Sequence, residues 1–164
     1  MTDDIHVRVA NPSDVHDFMG LALGGAEENA FLNPDPARML QEIWPALNLT
    51  GGICGIIKDA NGKPEGGILL RLGKMWYSDE YTLEEKAIFI DPAFRNAKGG
   101  RARKLCEFGK RVSEELGLPL IIGVLSNHRT EGKVKMYQRI FGPPTGAFFL
   151  YGARTDTRIA SAAE

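Results

Sequence analysis

The chain has 164 residues, of which 43% are hydrophobic and 25% charged, with a formal net charge of −1. The length suits one domain with a sizeable core, and the composition is that of an ordinary globular protein. A near-neutral chain has no global field to draw nucleic acid or an anionic membrane, and no apolar run approaches the ~18 residues of a membrane helix.

Cys54 and Cys106 stand far apart with no Cys-x-x-Cys. That argues against a disulfide framework or a cysteine zinc site and makes a reducing, cytoplasmic setting the default. Met1-Thr2-Asp3-Asp4 is acidic and polar, unlike a signal peptide.

Ile5-His6-Val7-Arg8-Val9 alternates and predicts a first strand, which Asn11-Pro12 breaks. Ser13 or Asn11 caps a predicted helix to about Leu23, with Val15, Phe18, Met19 and Ala22 on one face, and Gly24-Gly25 ends it. Glu27, Glu28 and Asn29 then fall in a loop. Pro34 and Pro36 open a second helix carrying Met39, Leu40, Ile43, Trp44 and Leu47. Gly51-Gly52 starts a strand through Ile57, Asp59-Ala60-Asn61-Gly62 is a hairpin turn, and the return strand runs roughly from Gly66 to Leu72. An exposed connection from Lys74 to Glu80 leads to a strand from Leu83 to Ile90 that ends at Asp91-Pro92.

The turn from Phe94 to Ala102 is cationic and rich in glycine. The helix after it carries Leu105, Phe108, Val112 and Leu116 at helical spacing, one buried face, and Gly117 stops it. An apolar strand, Leu118 to Leu125, follows. Thr130 is the expected cap of a last helix bearing Val134, Tyr137, Ile140 and Phe141, and Gly142-Pro143-Pro144 terminates it. Gly146 to Tyr151 reads as a final strand, and Thr155 to Glu164 as a frayed polar tail. No repeat, linker or second domain interrupts this order. The expectation is a single α/β domain over 1–164, its ordered core about 5–151, built as a mixed sheet with helices on both faces.

A strand that feeds a cationic glycine turn at a helix N-terminus is a device for holding phosphates. Backbone N–H groups point at the ligand, and the helix dipole favours negative charge there. Gly99 and Gly100 clear the way for the backbone of Ala97 to Ala102, Lys98 and Arg101 add cationic donors, and Arg95 or Arg103 flanks them. The bland reading is a solvated turn before a basic helix. Tyr137 on the following helix offers a proton donor beside this turn; its bland reading is a buried ring with a wet hydroxyl. His6, His16 and His128 lack metal-ligand spacing, so no metal is expected. No Gly-x-Ser-x-Gly elbow, Cys/His nucleophile pattern or P-loop occurs.

These residues resemble the GCN5-related N-acetyltransferases over most of the chain, from about Ile5 to Tyr151. Ile90-Asp91-Pro92-Ala93-Phe94-Arg95 is similar to that family's approach to its pyrophosphate loop. Gly100-x-Ala102-x-x-Leu105 keeps the loop's register, with Ala97 where the family has Gln or Arg, and with Arg95 two residues early. Tyr137-Gln138-Arg139-Ile140-Phe141-Gly142 is similar to the ending that carries the family's acid. The text around Trp76 to Glu85 and Ser126 to Thr130 is similar to a subgroup often encoded by phages and prophages.

The resemblance implies an acyl-CoA N-acyltransferase fold with a central, mostly antiparallel mixed sheet. It implies acetyl-CoA as co-substrate, no metal, and transfer of acetyl to an amine by direct attack in a ternary complex. The backbone of Ile88, Phe89 and Ile90 then binds thioester and pantetheine on a splayed strand edge, and Ala97 to Ala102 binds the diphosphate. Tyr137 protonates the leaving thiolate, since a phenol with pKa ~10 keeps its proton at neutral pH.

Glu84 or Glu85 takes the amine proton. Plain alternation puts Glu84 with Lys86, Ile88 and Ile90, and Glu85 with Leu83, Ala87 and Phe89. A carboxylate in the second, more apolar set is costly, which favours Glu84; either also reads as a structural glutamate. Glu27, Glu28 and Asn29 overhang the acceptor pocket, and Trp76 and Tyr77 wall it. The implied partner is a small-molecule or protein amine, with no nucleic acid or membrane, and homodimerisation is left open. The alternative function is a non-catalytic acyl-CoA-binding regulatory module. A nucleic-acid role for the basic run Arg95 to Lys104 is disfavoured by the net charge and the sparse aromatics there.

Overall fold

The computed structural model describes residues 5–95, 97–126 and 129–153. Strand β1 (Arg8–Val9) leads through a 3-10 turn (Pro12–Asp14) into helices α1 (Val15–Asn29) and α2 (Pro36–Leu47). Strands β2 (Gly52–Lys58), β3 (Pro64–Lys74) and β4 (Tyr81–Ile90) form a meander. A second 3-10 turn (Pro92–Phe94), helix α3 (Arg101–Leu116), strand β5 (Leu120–Ile121) and helix α4 (Thr130–Phe141) complete the order. The five strands lie side by side in chain order. Every pairing is antiparallel except β4 with β5, which is parallel.

The two faces of the sheet are covered separately. Phe18, Leu21 and Ala22 of α1 and Ile43, Ala46 and Leu47 of α2 pack on Cys54, Ile56, Leu69 and Phe89. Leu105, Phe108 and Val112 of α3 pack on Ile57, Ile68, Leu70 and Leu83 of the opposite face. Phe18 and Phe89 meet edge to face at 5.3 Å, fixing α1 against the end of β4.

Three expectations about the helices need correction. Gly24-Gly25 does not end α1, which continues to Asn29 and stops at Ala30, whose φ is +54°. Gly25 is small for another reason: a Cβ there would stand 3.2 Å from Phe89 Cβ, so the helix rests directly on the sheet. Glu27, Glu28 and Asn29 therefore lie in the last turn of α1 and not in a loop. Thr130 is the first residue of α4; its hydroxyl donates to Ser126 O at 3.0 Å, and Arg129 stands at the cap position.

Three strands also differ, the first being Arg8–Val9 alone where Ile5 to Val9 was expected. The predicted Leu118 to Leu125 strand shrinks to Leu120–Ile121, because only Leu83 and Glu84 of β4 pair with it before the chain leaves the sheet. Gly146 to Tyr151 forms no ladder with the described residues, and Phe148, Phe149 and Tyr151 stand exposed. Aromatic content favours a pleated half-buried surface, but it supplies no neighbouring strand. The polar tail expected at Thr155 to Glu164 lies outside the described residues.

One buried charge ties the entry of the fold together. Asp14, only 1% exposed, accepts from Arg8 Nη1 (2.8 Å) and Nη2 (2.7 Å), from Lys58 Nζ (2.8 Å), and from Asn11 N (2.9 Å). It thereby joins β1, the first 3-10 turn and β2. The Arg8 hydrogen bond, aided by Lys58 and Asn11, holds its carboxyl well below the usual carboxylate range against the opposing effect of burial. Such a carboxyl adds stability above its unfolded pKa of ~3.9, and the gain is lost as pH falls below that value. Asp14→Ala should cost about 2 kcal/mol at neutral pH by removing the buried acceptor shared by Arg8, Lys58 and Asn11 N, although Lys58 keeps Asp17 at 2.8 Å. In urea unfolding the deficit relative to wild type should shrink on acidification to about pH 3; an equal deficit at both pH values would assign it to packing.

Candidate active site

The register of β4 against β3 decides which side chains reach the candidate site. Ile88 faces Ile68 and Ala87 faces Leu69, but the next pair is Glu85 with Leu70, so Lys86 is an extra residue opposite no partner. This β-bulge breaks strict alternation. Leu70, Leu83, Ile68 and Ile88 all belong to the α3 side of the sheet, and Glu85 joins that side with them. Ala87 and Phe89 go to the α1 side, with Glu84. The face sets expected from plain alternation are therefore regrouped at Lys86.

Glu85 is half-buried, and its carboxylate receives a long 3.5 Å hydrogen bond from Gly123 N, just past β5. Burial pushes its pKa up to about 7, against the lowering effects of the Gly123 N–H and of Lys86. Tyr137 of α4 and Cys106 of α3 lie beside it. Tyr137 and Cys106 lie close enough to each other and to Glu85 that the Glu85 charge raises the pKa of both. Burial is the largest cause in each case; it pushes the thiol up to about 12 and the phenol further above its ordinary value. Tyr137 also stacks edge to face on Phe141 at 5.9 Å. Three elements thus bring a carboxyl, a thiol and a phenol together.

Glu84 lies elsewhere. It pairs with Lys86 at 2.8 Å and packs on Gly73, where a Cβ would meet its Oε1 at 2.7 Å. Trp76 is 94% exposed, in the turn between β3 and β4, and meets Tyr77 edge to face at 5.7 Å. That turn is at the Tyr81 end of β4, while the glycine turn follows the Ile90 end. Ten residues of strand at ~3.3 Å each separate the two ends.

The glycine turn owes its glycines to the backbone first. Gly99 has φ +120° and a Cβ there would collide with Ile5 Cδ1; Gly100 has φ +61° and caps α3 in the left-handed region. No side chain caps the first turn of α3, so its N–H groups keep the orphan donors of a helix start. Ala97, Lys98, Gly99 and Gly100 are exposed, and Ala102 is half-buried.

Arg101 is a structural cation. It pairs with Glu65 of β3 at 2.7 Å, with both side chains under 10% exposed, donates to Lys98 O at 3.1 Å, and lies 4.7 Å over the Phe94 ring. Arg95 is likewise engaged: its two terminal nitrogens grip the Glu28 carboxylate, and Nε donates to Ile90 O at 3.4 Å. Lys133 of α4 feels both charges, and its pKa is lowered mainly by burial. Glu28 thus stands at the glycine-turn end of β4, tied to a residue expected to meet phosphate. A groove of about 260 Å³ between Gly20 and Gly24 of α1 and Ile90 and Pro92 also reaches Arg95.

Beyond Glu84 the β5 side of β4 forms no ladder with the described residues, so among them the backbone from Glu85 to Ile90 is an open edge. Ile88 and Ile90 are half-buried against the α3 core, and Phe89 points the other way, into the α1 core. Sequence reasoning missed Cys106, because it weighs cysteines only for disulfides, metal and nucleophilic patterns.

No protein-family model and no curated protein matches the sequence. Solved structures do match. One is AAC(6')-Iy in complex with the bisubstrate analog CoA-S-monomethyl-acetylneamine, with TM-score 0.67, 20% identity, and coverage of 92% of this chain and 98% of that one. Another is the ribosomal-protein-alanine N-acetyltransferase of Brucella melitensis biovar Abortus 2308, with TM-score 0.64, 16% identity, and coverage of 92% and 98%. A third is the aminoglycoside 6'-N-acetyltransferase AAC(6')-Ih of Acinetobacter baumannii, with TM-score 0.64, 10% identity, and coverage of 92% and 98%. The diverging β4 and β5, the helices on both faces and these likenesses lead to one conclusion: the chain has the fold of the GCN5-related N-acetyltransferases.

Proposed function

We propose that the protein is an acetyl-CoA-dependent N-acetyltransferase acting by direct attack of an amine in a ternary complex. The observation that carries this reading is the open edge of β4, which runs from the Glu85–Tyr137 cluster to the uncapped start of α3. An extended pantetheine arm can add to such an edge as a strand does. The diphosphate then meets the N–H groups of the α3 start and exposed Lys98. Proteins of this fold solved with CoA-derived ligands support the co-substrate. Their small-molecule and protein amines support the same acceptor class here.

In the reaction the amine nitrogen attacks the thioester carbonyl and the C–S bond breaks. Glu85, with its pKa of about 7, accepts the proton that the amine loses. Tyr137 donates its proton to the departing sulfur. Glu85 replaces Glu84 as the base in this reading, because it lies beside Tyr137 while Glu84 is on the other face. Glu28 recognises a cationic acceptor only after Arg95 releases it, and Glu27, exposed beside it, is the readier charge.

Gly100→Asp tests the co-substrate site. A left-handed φ of +61° is tolerated by Asp, so the variant should fold, but its carboxylate would cap the N–H groups and repel phosphate. Calorimetry should find CoA binding to wild type and a loss of at least about tenfold in the variant. Wild type that does not bind CoA would sink the reading.

Tyr137→Phe should lower kcat by about 10–10⁴-fold across a panel of primary amines, with acetyl-CoA affinity nearly unchanged. An unchanged kcat, with chemistry rate-limiting, would return the phenol to a packing role. Glu85 can be tested without an acceptor. A carboxyl whose pKa rises on folding loses stability as pH climbs from ~4.3 through about 7. Glu85→Gln should therefore gain on wild type in thermal melts between about pH 5 and pH 8. A constant difference would show that Glu85 titrates as in water.

A further inference from the structure

We infer that Glu28 is a resident competitor for the co-substrate's diphosphate: its carboxylate holds Arg95 at the end of β4, and a diphosphate arriving at the α3 start takes the guanidinium from it. This rests on the acetyl-transfer reading above. The two terminal nitrogens of Arg95 grip both oxygens of the Glu28 carboxylate across 67 residues of chain. Arg95 Nε donates to Ile90 O at 3.4 Å. Ile90 is the last residue of β4, so the guanidinium stands where the open edge gives way to the glycine turn. A pantetheine arm lying along that edge as an added strand would bring its diphosphate to this point.

A guanidinium fork that takes a carboxylate in two parallel hydrogen bonds takes a phosphate in the same way. Glu28 thus offers Arg95 the chemistry that the diphosphate offers. The pair is also placed to open. The side chains of Arg95 and Glu28 are 30% and 37% exposed, whereas those of Arg101 and Glu65, the structural pair beneath the turn, are 9% and 7% exposed. An ion pair so exposed holds weakly. The diphosphate brings more charge, and the N–H groups of the α3 start hold it as well. The place of Glu28 is unfavourable on local grounds. It lies in the last turn of α1, which has no basic residue, and the negative end of the helix dipole disfavours a carboxylate there. The contact with Arg95 offsets that cost. Glu27 bears the same charge at the same helix end but lies exposed, outside the Arg95 fork.

The test is calorimetric titration of the full chain with CoA at low salt. Glu28→Gln keeps the shape and removes the charge, so it should bind CoA about threefold more tightly than wild type. Misfolding cannot produce a gain of affinity. Glu27→Gln removes an equal charge outside the fork and should change the affinity by less than about 1.5-fold. The Glu28→Gln gain should vanish in an Arg95→Gln background, as a double-mutant cycle requires of two groups that act through each other. Equal gains in the two glutamate variants, or a Glu28→Gln gain that survives Arg95→Gln, would reduce the effect to general charge removal and overturn the competitor role. So would a Glu28→Gln affinity at or below that of wild type. Wild type that binds no CoA at all would instead overturn the acetyl-transfer reading on which the competition rests.

Discussion

One extra residue in β4 sets the arrangement on which the rest depends. The bulge at Lys86 lets a single strand present Glu85 and Ile88 to the α3 side and Ala87 and Phe89 to the α1 side. Glu85 thereby reaches the helix layer that contains Cys106 and Tyr137, while Phe89 still closes the core against Phe18. Bulges also bend and twist their strand. Past this point β4 and β5 have parted, and the freed edge, the carboxyl and the phenol fall within one region of the molecule.

The cations around the glycine turn show how structure redistributes charge that looks available in a sequence. Arg101 commits its guanidinium to Glu65, Lys98 O and Phe94, and so shapes the turn from beneath. Arg95 closes on Glu28, and Lys104 donates to Ile5 O at 2.7 Å. What remains for an anion is largely main chain: the orphan N–H groups of α3, reached past two glycines whose φ values are positive. Such a site needs no particular cationic side chain, which makes physical sense of Ala97 where the related loops carry a polar or basic residue.

Much of the fold is legible in the sequence because it is periodic. The helical spacing of Leu105, Phe108 and Val112 marks the buried face of α3, and Asn61-Gly62 marks the β2–β3 turn. The misreadings share a cause: the deciding contact is distant in sequence. Gly25 reads as a helix stop, yet it serves close packing on Phe89. The apolar run from Ile122 to Leu125 has the composition of a strand but no partner once the sheet opens. A bulge is invisible to an alternation rule, which therefore gives Glu84 and Glu85 the wrong neighbours. Tyr137 is visible through its motif-like ending, but Cys106 carries no local signal; only the packing of α4 on α3 brings the two together.

The absence of any buried residue in α4 has a consequence for the order in which the molecule comes apart. Elements with few apolar contacts open locally at a free-energy cost well below that of global unfolding. The carboxyl is built into the central sheet, whereas the phenol rides on the least anchored helix. The two halves of the proposed proton relay therefore belong to different cooperative units. Warming would carry Tyr137 away from Glu85 while the sheet and the glycine turn were still intact, so under the proposed mechanism activity would be lost before the fold.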